Sequence, residues 1–169
     1  HGARFQFENA SLEITLLAED LVRVSWGPGE DPLPYTLAKT EWPGEPARLQ
    51  KNRDGWALHG SKVSISVDRT GRLRYISRDG KPWREESAPV RKGQGWRQQV
   101  RLADDEAIYG LGERNGNLNK RGRSYQMWNR QAPLHYRSDA DPLYLCVAAY
   151  LSVSGNGGYL VYYENPYPG

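Results

Sequence analysis

Val63-Ser64-Ile65-Ser66-Val67-Asp68-Arg69-Thr70-Gly71-Arg72-Leu73-Arg74-Tyr75-Ile76 is the stretch that decides the fold class of this chain. Apolar side chains occupy alternate positions at Val63, Ile65 and Val67, the period that puts successive side chains on opposite faces of a strand. Asp68-Arg69-Thr70-Gly71 then interrupts the run, and Asp79-Gly80 interrupts the next one after Tyr75 and Ile76. Asp and Gly tolerate the dihedrals of tight hairpins, so the segment predicts a meander of antiparallel strands.

The same alternation recurs at Leu12, Ile14 and Leu16 and at Val22, Val24 and Trp26. Residues 96–102 and 143–153 also read as strands, and Asn156-Gly157-Gly158 turns the latter into a strand over 159–163. Residues 27–46 hold Pro28, Pro32, Pro34, Pro43 and Pro46, which lack a ladder donor and predict a loop or a ragged edge. Residues 84–95, charged and broken by Gly93 and Gly95, predict another loop. No window of about 11 residues or more keeps a helical period, so the pattern predicts an all-β antiparallel sandwich.

At 169 residues the chain is long enough for one domain with its own core. Apolar residues make up 38% of it, and six Trp and eleven Tyr compensate for the shortage of aliphatic side chains. A net charge of +3 is too small an excess to argue for nucleic acid. Cys146 is the one cysteine, which excludes an intrachain disulfide; within Leu143-Tyr144-Leu145-Cys146-Val147-Ala148-Ala149 it reads as a small buried hydrophobe. No apolar run approaches the ~20 residues of a membrane span, and the N-terminus shows no signal core. With the single cysteine, this favours the cytoplasm. His1, His59 and His135 have no metal-ligand spacing among themselves or with Cys146, so neither metal nor cofactor is expected.

The second half carries the motifs. Tyr109-Gly110-Leu111-Gly112-Glu113-Arg114 is followed by Asn117-x-x-x-Arg121-Gly122, Trp128-Asn129, Asp141-Pro142-Leu143-Tyr144 and an aromatic strand ending in Asn165-Pro166. Gly110-x-Gly112 is not a phosphate loop, because Asn115 stands where the third glycine belongs and no helix follows. The two glycines instead allow a sharp bend at a strand end, with Glu113 and Arg114 projecting. Arg114, Lys120, Arg121 and Arg123 beside Tyr125 and Trp128 could form a platform for single-stranded nucleic acid. The adjacent Glu113 and the near balance of acids and bases favour a solvated loop. Trp128, Asn129, Arg130, Gln131, His135 and Tyr136 combine aromatics, amides and guanidinium donors, the equipment for stacking on a sugar and hydrogen-bonding its hydroxyls. Asp139 and Asp141 lie in a turn before a proline, where such acids cap the loop rather than act as a glycosidase pair.

Order and spacing of these blocks over residues 106–169 resemble the N-terminal β-domain of family 31 glycoside hydrolases, the α-glucosidase and α-xylosidase family. The resemblance implies a galactose-mutarotase-like supersandwich, a single N-terminal domain over 1–169 truncated at its C-terminal strands. It also implies that the catalytic (β/α)8 barrel, with its pair of aspartates, is absent from this chain, which holds no catalytic residue and is inert by itself. In the family the loop matching 128–136 reaches the barrel mouth and helps form the sugar pocket. The family pattern there is W-N-x-D, whereas this chain has Gln131 in place of the acid, which puts the usual sugar or linkage preference in doubt. The implied partners are the barrel domain and, through the parent enzyme, an α-linked oligosaccharide, with neither nucleic acid nor membrane. An open sheet edge would promote self-association. The alternative is a free-standing carbohydrate-binding or protein-interaction module of the same fold.

Overall fold

The computed structural model describes residues 1–28, 37–93, 95–131, 134, 135, 137, 138 and 140–164. Part of the proline-rich loop, Tyr136, Asp139 and the Asn165-Pro166 turn lie outside these residues. The chain divides into two compact units, His1–Leu102 and Ala103–Gly169. Among the described residues there is no helix, and every strand pairing is antiparallel.

In unit 1, strands β1 (Gly2–Gln6), β2 (Ser11–Ala18) and β3 (Leu21–Gly27) form one sheet in sequence order. A second sheet follows the order β11-β8-β7-β6-β5-β4, from β4 (Arg48–Lys51), β5 (Gly55–His59), β6 (Val63–Asp68), β7 (Leu73–Ser77), β8 (Pro82–Glu86) and β11 (Val100–Arg101). A short hairpin pairs β9 (Val90–Lys92) with β10 (Gly95–Arg97). Phe5, Leu12, Ile14 and Leu16 of the first sheet share one core with Leu58, Ile65, Val67, Leu73 and Tyr75 of the second, which is sandwich packing. Burying each large aliphatic side chain contributes about 1.5–3 kcal/mol, so these alternating positions hold the layers together. Phe5 against Trp56 at 5.5 Å and Tyr75 against Trp83 at 5.3 Å add tilted aromatic contacts.

The β6–β7 hairpin forms at the expected residues. Asp68 Oδ1 accepts from the Thr70 and Arg72 N–H groups at 2.7 and 3.0 Å and from the Thr70 hydroxyl at 2.7 Å. Gly71 sits at φ 82°, and a Cβ there would come within 2.9 Å of Trp26.

Three expectations need correction. Residues 84–95 are not a loop: β8, β9 and the start of β10 occupy them. In β8 the period of two is intact, but its inward positions carry Arg84 and Glu86, paired at 2.6 Å with side chains 4% and 5% exposed. Charges stand where an apolar pattern was sought. The strand expected over 96–102 is divided into β10 and β11 by Gln98 and Gln99, and the Gln99 N–H is taken by the Ser87 hydroxyl at 3.2 Å. The strand expected from Leu143 begins at Cys146, because the carbonyls of Leu143 and Leu145 are engaged by residues before the strand, Arg130 and Glu113.

In unit 2, β12 (Ala107–Gly112), β13 (Cys146–Ser154) and β14 (Gly157–Tyr162) make one sheet in that order. The register pairs Tyr109 with Leu151, Leu151 with Leu160, and Ala149 with Tyr162, which brings them to one face. Val147, Leu151, Val153, Leu160 and Tyr162 on this face are all exposed, Leu160 by 70%.

Candidate functional site

A β-bulge builds the approach to the loop. Between Gly110 and Gly112 the β12–β13 register shifts, and Gly110, Leu111 and Gly112 all take positive φ, at 111°, 70° and 83°. Opposite the single residue Leu111, β13 carries Val147, Ala148 and Ala149, so the ladder resumes two residues out of step and the Glu113 N–H donates to the Leu145 carbonyl at 2.7 Å. Arg114 is thereby directed inward. The expectation that it projects into solvent is corrected: its side chain is 1% exposed.

Around Arg114 the residues before β13 gather. Nη1 meets Asp141 Oδ1 at 2.6 Å, and Nη2 donates to the Gln126 carbonyl at 3.0 Å and lies 3.1 Å from both Met127 Sδ and Cys146 Sγ. Asp141 Oδ2 accepts from the Gln126 N–H at 2.5 Å. Asp141 therefore spans two loops instead of capping its own turn. Its position before a proline was visible, but its partner, 27 residues upstream, was not.

The loop residues singled out from the sequence divide by role. Asn129 turns its Oδ1 inward and accepts the Cys146 N–H at 2.6 Å, so this oxygen is committed to the fold. The Trp128 carbonyl receives the Cys146 thiol at 3.0 Å, while the residue as a whole is 46% exposed. The Arg130 N–H donates to Leu143 at 3.3 Å, and the side chains of Arg130, Gln131 and His135 face solvent. Tyr136 lies outside the described residues. Backbone and inner groups thus tie residues 126–130 down and leave an indole, a guanidinium and an amide outward. Cys146, half-buried and among polar neighbours, is more than the inert hydrophobe expected.

The basic run also reads differently in place. Lys120 is buried, with Nζ 2.7 Å from the Asn117 carbonyl, and Arg121 Nη1 reaches the carbonyls of Ala103, Asp104 and Glu106 at 2.5, 3.1 and 2.8 Å. Three of the four bases, Arg114 included, are therefore bonded within the chain rather than held free in a solvated loop. Among the described residues no group of His, Cys, Asp and Glu could hold a metal ion.

Glu106 carries no motif, yet it organises the far end of this sheet. Its carboxylate accepts from the hydroxyls of Ser152 and Tyr159, the latter at 2.6 Å, and from the Ala103 N–H at 2.7 Å. Burial, the largest influence, pushes this carboxyl up, but these bonds and Arg121 together outweigh it and hold it below its ordinary value of 4.5. Asp68 in unit 1 is lowered likewise, against burial, by Thr70 and Arg72. A carboxyl whose folded value is depressed stabilises fully above its unfolded value and loses that contribution as pH falls through the folded one. Acid unfolding of unit 2 is therefore expected to steepen below pH 4.5, and Glu106→Gln is expected to flatten that limb. Denaturant midpoints measured between neutral and acid pH test this, and parallel profiles for the two proteins would refute it.

Comparison with known proteins follows the same lines. Residues 11–169 match the model of the glycosyl hydrolase 31 N-terminal galactose mutarotase-like domain. Alpha-glucosidase 2 of Bacillus thermoamyloliquefaciens is 27% identical over 99% of this chain and 22% of its own length. The GH31 dextranase of Flavobacterium johnsoniae, solved with isomaltotriose, superposes with a TM-score of 0.84 at 21% identity, over 99% of this chain and 22% of that one. The GH31 alpha-xylosidase of Xanthomonas citri gives 0.63 at 20% identity, over 90% and 17%. The chain thus spans about a fifth of the length of the relatives it matches.

Proposed function

Because the chain belongs to the family of glycosyl hydrolase 31 N-terminal galactose mutarotase-like domains, we propose that residues 1–169 act as one non-catalytic domain of a retaining α-glycosidase of α-glucosidase type. The domain packs on the catalytic barrel and lends the loop 128–136 to sugar recognition. The parent cleaves an α-linked gluco- or xylo-oligosaccharide through a glycosyl-enzyme intermediate on barrel carboxylates. The observation that carries this reading is the start of the loop: residues 128–130 are tethered while Trp128, Arg130 and Gln131 face outward. An indole stacks on a sugar face, and the Gln131 amide offers one acceptor and one donor where a carboxylate would accept twice.

In the full-length protein, Gln131→Ala is expected to lower kcat/KM by roughly one to two decades, the loss of one or two hydrogen bonds to a bound hydroxyl. Lys51→Ala, on an exposed strand, serves as the control and is expected to change nothing. Steady-state kinetics that are identical for the Gln131 variant and the wild type would remove the loop from the sugar site.

The remaining partner is a second copy. In the isolated chain the exposed apolar face of β12–β14, together with the outer edge of β14, favours self-association. Light scattering is expected to report dimers or larger species, and a hydrophobic dye is expected to bind. A monodisperse monomer at high concentration that binds no dye would refute this.

A further inference from the structure

We propose that Arg114 and Asp141 are positioning residues for sugar recognition, acting through the Gln126 peptide to set the conformation in which the loop meets its ligand. The proposal rests on the reading of residues 128–136 given above and adds to it the device that aims them.

The three groups form a closed ring. Asp141 Oδ1 holds Arg114 Nη1 at 2.6 Å, Asp141 Oδ2 takes the Gln126 N–H at 2.5 Å, and Arg114 Nη2 donates to the Gln126 carbonyl at 3.0 Å. Both polar groups flanking Gln126 are thus gripped, the N–H by a carboxylate and the carbonyl by a guanidinium. With donor and acceptor both engaged, rotation of either flanking peptide breaks a charge-assisted bond. Trp128 follows two residues later and Gln131 five, so a change in the Gln126 dihedrals is carried directly into their placement.

The choice of residue types supports positioning over bulk stability. With the Arg114 side chain 1% and the Asp141 side chain 21% exposed, this ion pair adds little net stability, because taking the guanidinium out of water offsets much of the attraction. What it supplies is direction. The planar guanidinium presents Nη1 and Nη2 at a fixed angle, so one group can meet a carboxylate and a peptide carbonyl together, which a lysine ammonium on a flexible stem does not reproduce. Arg114 is itself fixed from behind by the bulge, where Gly112 brings the chain against Leu145 and Val147. Downstream, the chain that leaves Gln126 in this direction makes the tethers from Asn129 to Cys146 and from Arg130 to Leu143. Recognition groups held on such a supporting shell lose affinity when displaced by about 1 Å.

The test uses the full-length protein and whichever α-linked gluco- or xylo-oligosaccharide it turns over, with Arg114→Lys and Asp141→Asn as variants. Two readouts are taken: hydrogen exchange at the amides of Arg130 and Cys146, whose N–H groups bond outside the clamp although the Cys146 thiol lies 3.1 Å from Arg114 Nη2, and the separate effects on KM and kcat. The expected result is faster exchange at both amides and a rise in KM of about ten-fold with kcat within about two-fold, the pattern of lost substrate binding. Asp141→Glu is expected to recover part of the loss. Should Arg114→Lys fail to fold, Asn129→Ala releases the next tether and is expected to raise KM in the same sense. Unchanged exchange at Arg130 and Cys146 in the folded variants overturns the proposal. So does faster exchange with wild-type kinetics when Gln131→Ala alone weakens binding, and in that case the loop's role in recognition survives. If Trp128→Ala and Gln131→Ala also leave KM unchanged, the reading of the loop falls and the clamp's role falls with it.

Discussion

Alanine in place of Gly112 is expected to destabilise unit 2 by roughly 3–4 kcal/mol. Two costs combine at this position. The backbone stands at φ 83°, which costs a side chain about 1 kcal/mol or more. A Cβ would also lie 2.4 Å from the Leu145 carbonyl oxygen and 2.7 Å from the Val147 nitrogen, and both are backbone atoms that cannot rotate aside. The second cost decides the outcome, and Gly80→Ala shows the first cost alone. Gly80 has nearly the same φ of 81° with no atom within 4 Å, so alanine there is expected to cost only about 1 kcal/mol. Denaturant midpoints, read on unit 2 for Gly112→Ala and on unit 1 for Gly80→Ala, measure the difference. Equal losses would mean that the close approach adds no cost.

The second large effect lies in unit 1. Glu86→Ala is expected to cost about 3–5 kcal/mol, the usual penalty for breaking a buried ion pair by removing one partner. Glu86 accepts from Arg84 Nε at 2.8 Å and Nη2 at 2.6 Å, and from the Tyr75 hydroxyl at 2.8 Å, so three donors lose this acceptor at once. The double variant Arg84→Met with Glu86→Leu removes both charges and is expected to recover most of the loss, because apolar side chains of similar volume replace a buried pair at little net cost. Denaturant midpoints read both. If the double variant is as unstable as the sum of its single variants, the two side chains are not energetically coupled.

These two positions also show why the sequence was legible in some places and not in others. Leu12, Ile14, Leu16, Ile65 and Val67 announce their strands because each buried side chain is apolar and the intervening Ser11, Glu13, Thr15, Ser64 and Ser66 are polar. In β8 the inward positions are charged, and in β4 all four side chains are exposed, so backbone pairing with β5 holds that strand without any pattern. The motif order over 106–169 identified the family, and the loop was found from its aromatic and amide content. The division of labour within the loop was hidden. Whether Asn129 faces outward or turns to Cys146, and whether Arg114 is solvated or buried against Asp141, depends on pairings 17 and 27 residues apart that no local spacing encodes. Glu106 was missed for the same reason, since its partners Ser152 and Tyr159 lie 46 and 53 residues away.

The apolar face of the β12–β13–β14 sheet has a thermal consequence. Covering Val147, Leu151, Val153, Leu160 and Tyr162 removes apolar surface from water, and such burial carries a negative heat-capacity change. Near room temperature its driving force is almost wholly entropic and weakens on cooling. If copies of the isolated chain meet through this face as proposed, chilling is expected to disperse them and warming toward ambient temperature to drive them together. A solution of the domain that clears in the cold and turns turbid on the bench would be behaving as this surface requires.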